Sequence, residues 1–127
     1  MTVLEAVGAS VEAALGTAPA LEDLGPEPGD MLLRQDPGAR ETRYLGGTAR
    51  RICSFSLYLR QGWGQEDRRR AQLQTLEALS LPLPDLGPGA RALSLEITGR
   101  ALPVEVEQGG LQADRLTLTL EYFTHPQ

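Results

Sequence analysis

Val3, Leu4, Val7, Val11, Ala14 and Leu15 recur at three- and four-residue steps, the spacing that gathers side chains on one stripe of a helix. Thr2 and Glu5 precede that run at capping-box spacing, and Gly16 stands where a helix over residues 3–15 would stop. From Gly16 to Gly38 the period dissolves. Pro19, Pro26, Pro28 and Pro37, with Gly25, Gly29 and Gly38, mark a loop region over 17–38, within which Met31-Leu32-Leu33 is a candidate short strand. Low order is expected over 17–29.

The period then becomes two. Cys53, Phe55, Leu57 and Leu59 alternate with Ser54, Ser56 and Tyr58, so the strand has one apolar and one small-polar face. A Gly46-Gly47 turn joins it to a segment over 40–45, predicting a hairpin of 40–45 with 49–60. A second helix is expected over about 65–80, with Glu66 and Asp67 in its first turn and Leu73, Leu76 and Leu79 facing inward. Leu93, Leu95 and Ile97 alternate with Ser94, Glu96 and Thr98, and the apolar phase moves to Leu102, Val104 and Val106. That change predicts a bulge near Gly99–Ala101. After a Gly109-Gly110 turn, Leu116, Leu118, Leu120 and Tyr122 form the inward row of a last strand, which can pair with the central one.

These elements predict one α+β domain over 1–127: a four- to five-stranded antiparallel sheet of two hairpins, two helices on one face, and a flexible tail over 124–127. The length of 127 residues suits a single core, and 41% hydrophobic with 23% charged residues is ordinary for a globular chain. The formal net charge of −5 is the wrong sign for gripping many phosphates. Every basic residue is Arg, which GC-rich coding explains. The start of the chain lacks a basic segment followed by an apolar one, no apolar run is long enough to span a membrane, and the chain reads as cytosolic.

Chemistry-bearing residues are sparse. His125, the one histidine, sits in the tail, and Cys53, the one cysteine, falls on the inward row of its strand. No catalytic triad, zinc set, EF-hand loop or phosphate-binding loop can be assembled, so no catalytic residue, cofactor or metal is expected. Asp114, Glu96, Glu105 and Glu107 read as the solvated side of a hairpin. Arg68, Arg69 and Arg70 fan around a helix. They are either a solvated surface paired with Glu66, Asp67 or Glu77, or a contact with an acidic neighbouring subunit. Trp63, between Gly62 and Gly64, is either a lid on the core or an interface anchor. Ser54, Ser56, Thr117 and Thr119, with Ser94 and Thr98, form a flat row of small polar side chains suited to close packing against another subunit.

The stretch Arg43-Tyr44-Leu45-Gly46-Gly47-Thr48-Ala49-Arg50-Arg51, the strand Cys53–Leu59, a helix, Leu83-Pro84-Asp85-Leu86-Gly87, and a final Leu120-Glu121-Tyr122-Phe123 follow in a distinctive order. This order resembles the small minor capsid and tail-terminator-like proteins of long, flexible-tailed phages and prophages of Gram-positive bacteria, over about residues 40–123. The chain departs from that pattern between the second helix and Pro84, where an acidic-aromatic continuation is missing. The resemblance implies a non-enzymatic virion assembly protein that forms a homo-oligomeric ring, usually a hexamer, capping the tail tube and joining it to the head. Its partners would be its own copies, the tail tube protein and a head-side connector, with DNA passing through the lumen unread. Its place would be the bacterial cytoplasm during assembly and the virion tail or neck afterwards. A different head–tail connector, or a cytosolic protein-binding adaptor, is the alternative.

Overall fold

A computed structural model describes residues 2–23, 30–60, 66–107 and 111–125; the side chains of 66–69, 72, 99–100, 104–107 and 111–112 lie outside the description. The elements run α1 (Val3–Leu15), β1 (Met31–Gln35), β2 (Arg40–Arg43), β3 (Ala49–Arg60), α2 (Glu66–Glu77), β4 (Ala90–Glu107) and β5 (Leu111–Thr124). The α+β class read from the pattern is the class observed.

Helix α1 begins and ends where its caps require. The Thr2 hydroxyl accepts from the Glu5 amide at 3.1 Å and the Glu5 carboxylate accepts from the Thr2 amide at 3.3 Å, closing the capping box. Gly16 sits at φ 79° and donates to the Glu12 carbonyl at 2.7 Å, a conformation that would strain any side-chain-bearing residue. Helix α2 is shorter than the expected 65–80. Beyond Glu77 the chain leaves the helical path, and Leu81 and Leu86 pack onto the core from the extended segment that follows.

All strand pairings between named strands are antiparallel, in the order β1-β3-β5-β4, with β2 also on β3. Strands β1 and β2 share one edge of β3. Gln35 lies opposite Phe55 and Arg40 opposite Ile52, so Asp36 to Ala39 form an excursion in a single interrupted edge strand. Gly38 at φ 91° makes the turn out, and the Asp36 amide still bonds the Ser54 carbonyl at 2.9 Å. Ala20 adds a further backbone segment through a parallel bridge to Leu32. The sheet therefore draws on one segment more than the four to five expected. The helix joining β3 to β4 crosses over β5, which lies between those two strands.

One core holds the molecule together. Val7 and Val11 from α1 and Leu76 from α2 join Phe55, Leu57, Leu95, Leu116, Leu118 and Leu120 in a single cluster, so both helices cover the same sheet face. Cys53 is buried in it, as the alternation requires. A smaller cluster of Leu32, Ala113 and Tyr58 lies on the opposite face. Register there is enforced by burial, because a one-residue slip would turn each apolar row toward solvent.

Strand β4 departs from the simple alternation. One extra residue stands between Ala92 and Ser94, opposite Tyr122 and Glu121, so Ala92 takes the inward position and Leu93 is left 39% exposed. A second irregularity does fall at residues 99–101, as expected, but three residues there oppose one on β5. Leu102 consequently pairs with Arg115, on the helix-free side, and is 55% exposed rather than part of the core row. Asp114 is also not on a solvated face. It is 2% exposed, opposite Leu59 and Pro103. The expected free tail begins later than residue 124, because the His125 amide donates to the Gly89 carbonyl at 2.9 Å. Of the loop region expected to have low order, 24–29 lie outside the described residues.

Candidate functional site

The sheet face away from the helices brings together the six small polar residues singled out in the sequence, Ser94 among them, opposite Glu121. Ser54 lies opposite Thr119 and Ser56 opposite Thr117 across the β3–β5 pairing, with Glu96 and Thr98 next in line on β4. The Thr98 and Thr119 hydroxyls are 3.1 Å apart, and Thr98 also donates to the Thr117 carbonyl at 3.4 Å. Ser54, Thr117 and Thr119 are partly exposed. Ser56 is not available to a partner: it is 2% exposed and donates its hydroxyl to Asp36 Oδ1 at 2.8 Å. The excursion between β1 and β2 is what lays that carboxylate over it.

The face is more basic than a row of small hydroxyls. Register places Arg34, Arg40, Arg50, Arg91 and Arg115 on the same side as Ser54 and Thr117, against Glu96, Glu121 and Asp36. Arg34, Arg40 and Arg91 are exposed and form no ion pair among the described residues. An acidic chain thus carries a locally basic surface.

Of the other expected contacts, Arg70 is exposed on α2, while the Arg68 and Arg69 side chains and the whole of Trp63 lie outside the described residues. Glu77, expected as an ion-pair partner of that arginine run, instead accepts the Ala101 amide at 2.6 Å, bracing β4 where its register breaks.

Sequence reasoning missed a second constellation at the end of the sheet where β3 and β4 begin and β5 finishes. Glu41 on β2 holds Arg51 at 3.1 Å and Arg43 at 3.6 Å. On the other side Arg50 pairs with Glu121 at 2.5 Å. Hydrogen bonding to Glu121 raises the Arg50 pKa above its ordinary value, and bonding to Tyr122, then Glu41, raises that of Arg51. The rings of Tyr44 and Phe123 meet edge to face, 6.3 Å between centroids. The three-residue turn beyond, closed by Tyr44 N–H to the Thr48 carbonyl at 2.8 Å, projects Leu45 wholly into solvent. The motif Arg43–Arg51 and the motif Leu120–Phe123, some seventy residues apart in the chain, are therefore one structural unit. Their shared order in the sequence was the visible signal; their contact was not.

Among the described residues no group of three or more His, Cys, Asp or Glu is placed to hold a metal ion, and no helix is long and apolar enough to cross a membrane. The arrangement can bind surfaces by shape, charge and hydrogen bonding. Compared with known proteins, the chain matches no protein-family model, and no curated protein is significantly similar to it.

Proposed function

We propose that this chain is a structural protein of phage virion assembly, a tail terminator whose copies form a ring that caps the tail tube and joins it to the head. The carrying observation is the convergence of Arg43–Arg51 with Glu121–Phe123 at one end of the sheet. These are the segments on which the resemblance to tail-terminator-like proteins rests, and an arginine-rich hairpin tip with exposed apolar residues is suited to contacting another protein. The Ser54, Thr117 and Thr119 surface, uncovered by a helix, gives a second area on which a subunit can pack. Self-association also covers sheet edges whose backbone groups seek partners. The net charge of −5 suits a ring through which DNA passes, with the basic face turned away from the lumen. On this reading the protein is non-catalytic. Its partners are its own copies, the tail tube protein and a head-side connector, and it works in the host cytoplasm before taking its place in the tail or neck.

Another head–tail connector would share this architecture. A cytosolic adaptor is the second reading, favoured by the outer edge of β4, which pairs with no strand among the described residues and could receive an extended peptide. Negative-stain microscopy of the purified protein tests the first reading: rings with a central hole wide enough for duplex DNA are expected, and their absence at every concentration and on cognate tail tubes overturns it.

A further inference from the structure

The hairpin tip and the outer surface of α1 complement each other. Leu45 is fully exposed and Tyr44 46% exposed at the tip, an apolar pair set directly before Gly46 and Gly47, whose positive φ values make the turn. Arg40, Arg43, Arg50 and Arg51 flank them in β2 and β3, four cations against two carboxylates: Glu41, paired with Arg43 and Arg51, and Glu121, paired with Arg50. Elsewhere, Ala6, Ala9, Ser10 and Ala13 of α1 face the extended segment Pro82–Asp85 across an open apolar groove of about 290 Å³. Its setting is acidic: α1 contributes Glu5 and Glu12, the segment contributes Asp85, and neither has a basic residue. A groove of that size is small for a drug-like ligand but suits one or two protruding side chains.

We infer that the groove between α1 and Pro82–Asp85 receives the Tyr44-Leu45 tip of a second copy of this chain, with the flanking arginines set against Glu5, Glu12 and Asp85. The contact rests on the ring reading and names its interface. Tip and groove are different surfaces, so the contact is head-to-tail, and repetition closes a ring or extends a filament according to the rotation per copy. Charge complementarity sets the register and makes assembly sensitive to salt.

The test uses Leu45→Asp and Ala9→Arg, both at exposed positions, so each variant keeps the thermal stability of the wild type. By sedimentation, each alone is expected to self-associate about tenfold or more weakly than wild type. Leu45→Asp retains a groove and Ala9→Arg retains a tip. An equimolar mixture is therefore expected to form a one-to-one pair that grows no further. Assembly of either variant like wild type overturns the contact. So does a wild type that stays monomeric, including one that stays monomeric while binding a mixed-sequence DNA duplex through these arginines. Rings that persist in both variants refute the contact and leave the terminator reading standing. Open filaments abolished by Leu45→Asp uphold the contact and refute the ring.

Discussion

Replacing Leu118 with Ala, and its neighbour Thr119 with Ala, separates the two sheet faces on which the whole account depends. Leu118 is 0% exposed and lies between Phe55 on β3 and Ile97 on β4, beneath the helices. Truncation removes three carbon groups, worth about 2.4 kcal/mol in transfer at about 0.8 kcal/mol each. Neighbouring strands are held by their ladders and relax only partly, so a cavity adds to that loss and the total is about 3–5 kcal/mol. In a domain of this length this lowers the midpoint of thermal unfolding by roughly 10–20 °C. Thr119→Ala loses a hydroxyl contact with Thr98 that solvent can replace, a change of about 1 kcal/mol or less. Urea denaturation followed by circular dichroism measures both, with unchanged slopes required for the comparison. Equal losses, or a larger loss at Thr119, would refute the assignment of Leu118 to the helix-covered face.

Three further outcomes follow from local geometry. Ala92→Asp places a carboxylate on the core side of the bulge and is expected to cost more than about 3 kcal/mol, whereas Leu93→Ser costs under about 1 kcal/mol; the reverse order in urea melts contradicts the bulge. Ser56→Ala strands Asp36 against a covered position and should cost about 1–3 kcal/mol, with Asp36→Ala nearly non-additive in a double-mutant cycle; additive losses would show that the two do not interact. Thr2→Ala removes the capping box and should cost about 1 kcal/mol, read as faster hydrogen exchange confined to the first turn of α1.

The parts of the fold written in local chemistry were legible in the sequence. Thr2, Glu5 and Gly16 bounded α1 to the residue, and the alternation through Cys53–Leu59 and Leu116–Tyr122 gave the inward rows of β3 and β5. What depends on pairing was not legible. Leu93 looks like a core residue by parity, and only the opposition of Tyr122 and Glu121 on β5 reveals that an extra residue displaces it. Leu102 has the same history, since the number of residues spent at the break decides the face on which it emerges. Asp36 reads as a loop residue before Pro37, yet it closes over Ser56 because β1 and β2 are one interrupted strand.

The candidate site divides along the same line. Ser54, Thr117 and Thr119 could be placed on one face from periodicity alone, because strand side chains alternate. The basic character of that face could not, since Arg34, Arg40, Arg50, Arg91 and Arg115 come from separate strands and meet only through register. The same holds for Arg50 with Glu121 and Tyr44 with Phe123, which no spacing rule connects. Ion pairs on this rim contribute little stability individually.

Native mass spectrometry of the purified chain over a range of concentrations tests most directly that it acts as a building block. A single closed stoichiometry that neither grows nor fragments with concentration, expected to be a hexamer, agrees with the account. Monomer alone throughout, with no ring formed when cognate tail tubes are added, or an unbroken ladder of stoichiometries, contradicts it.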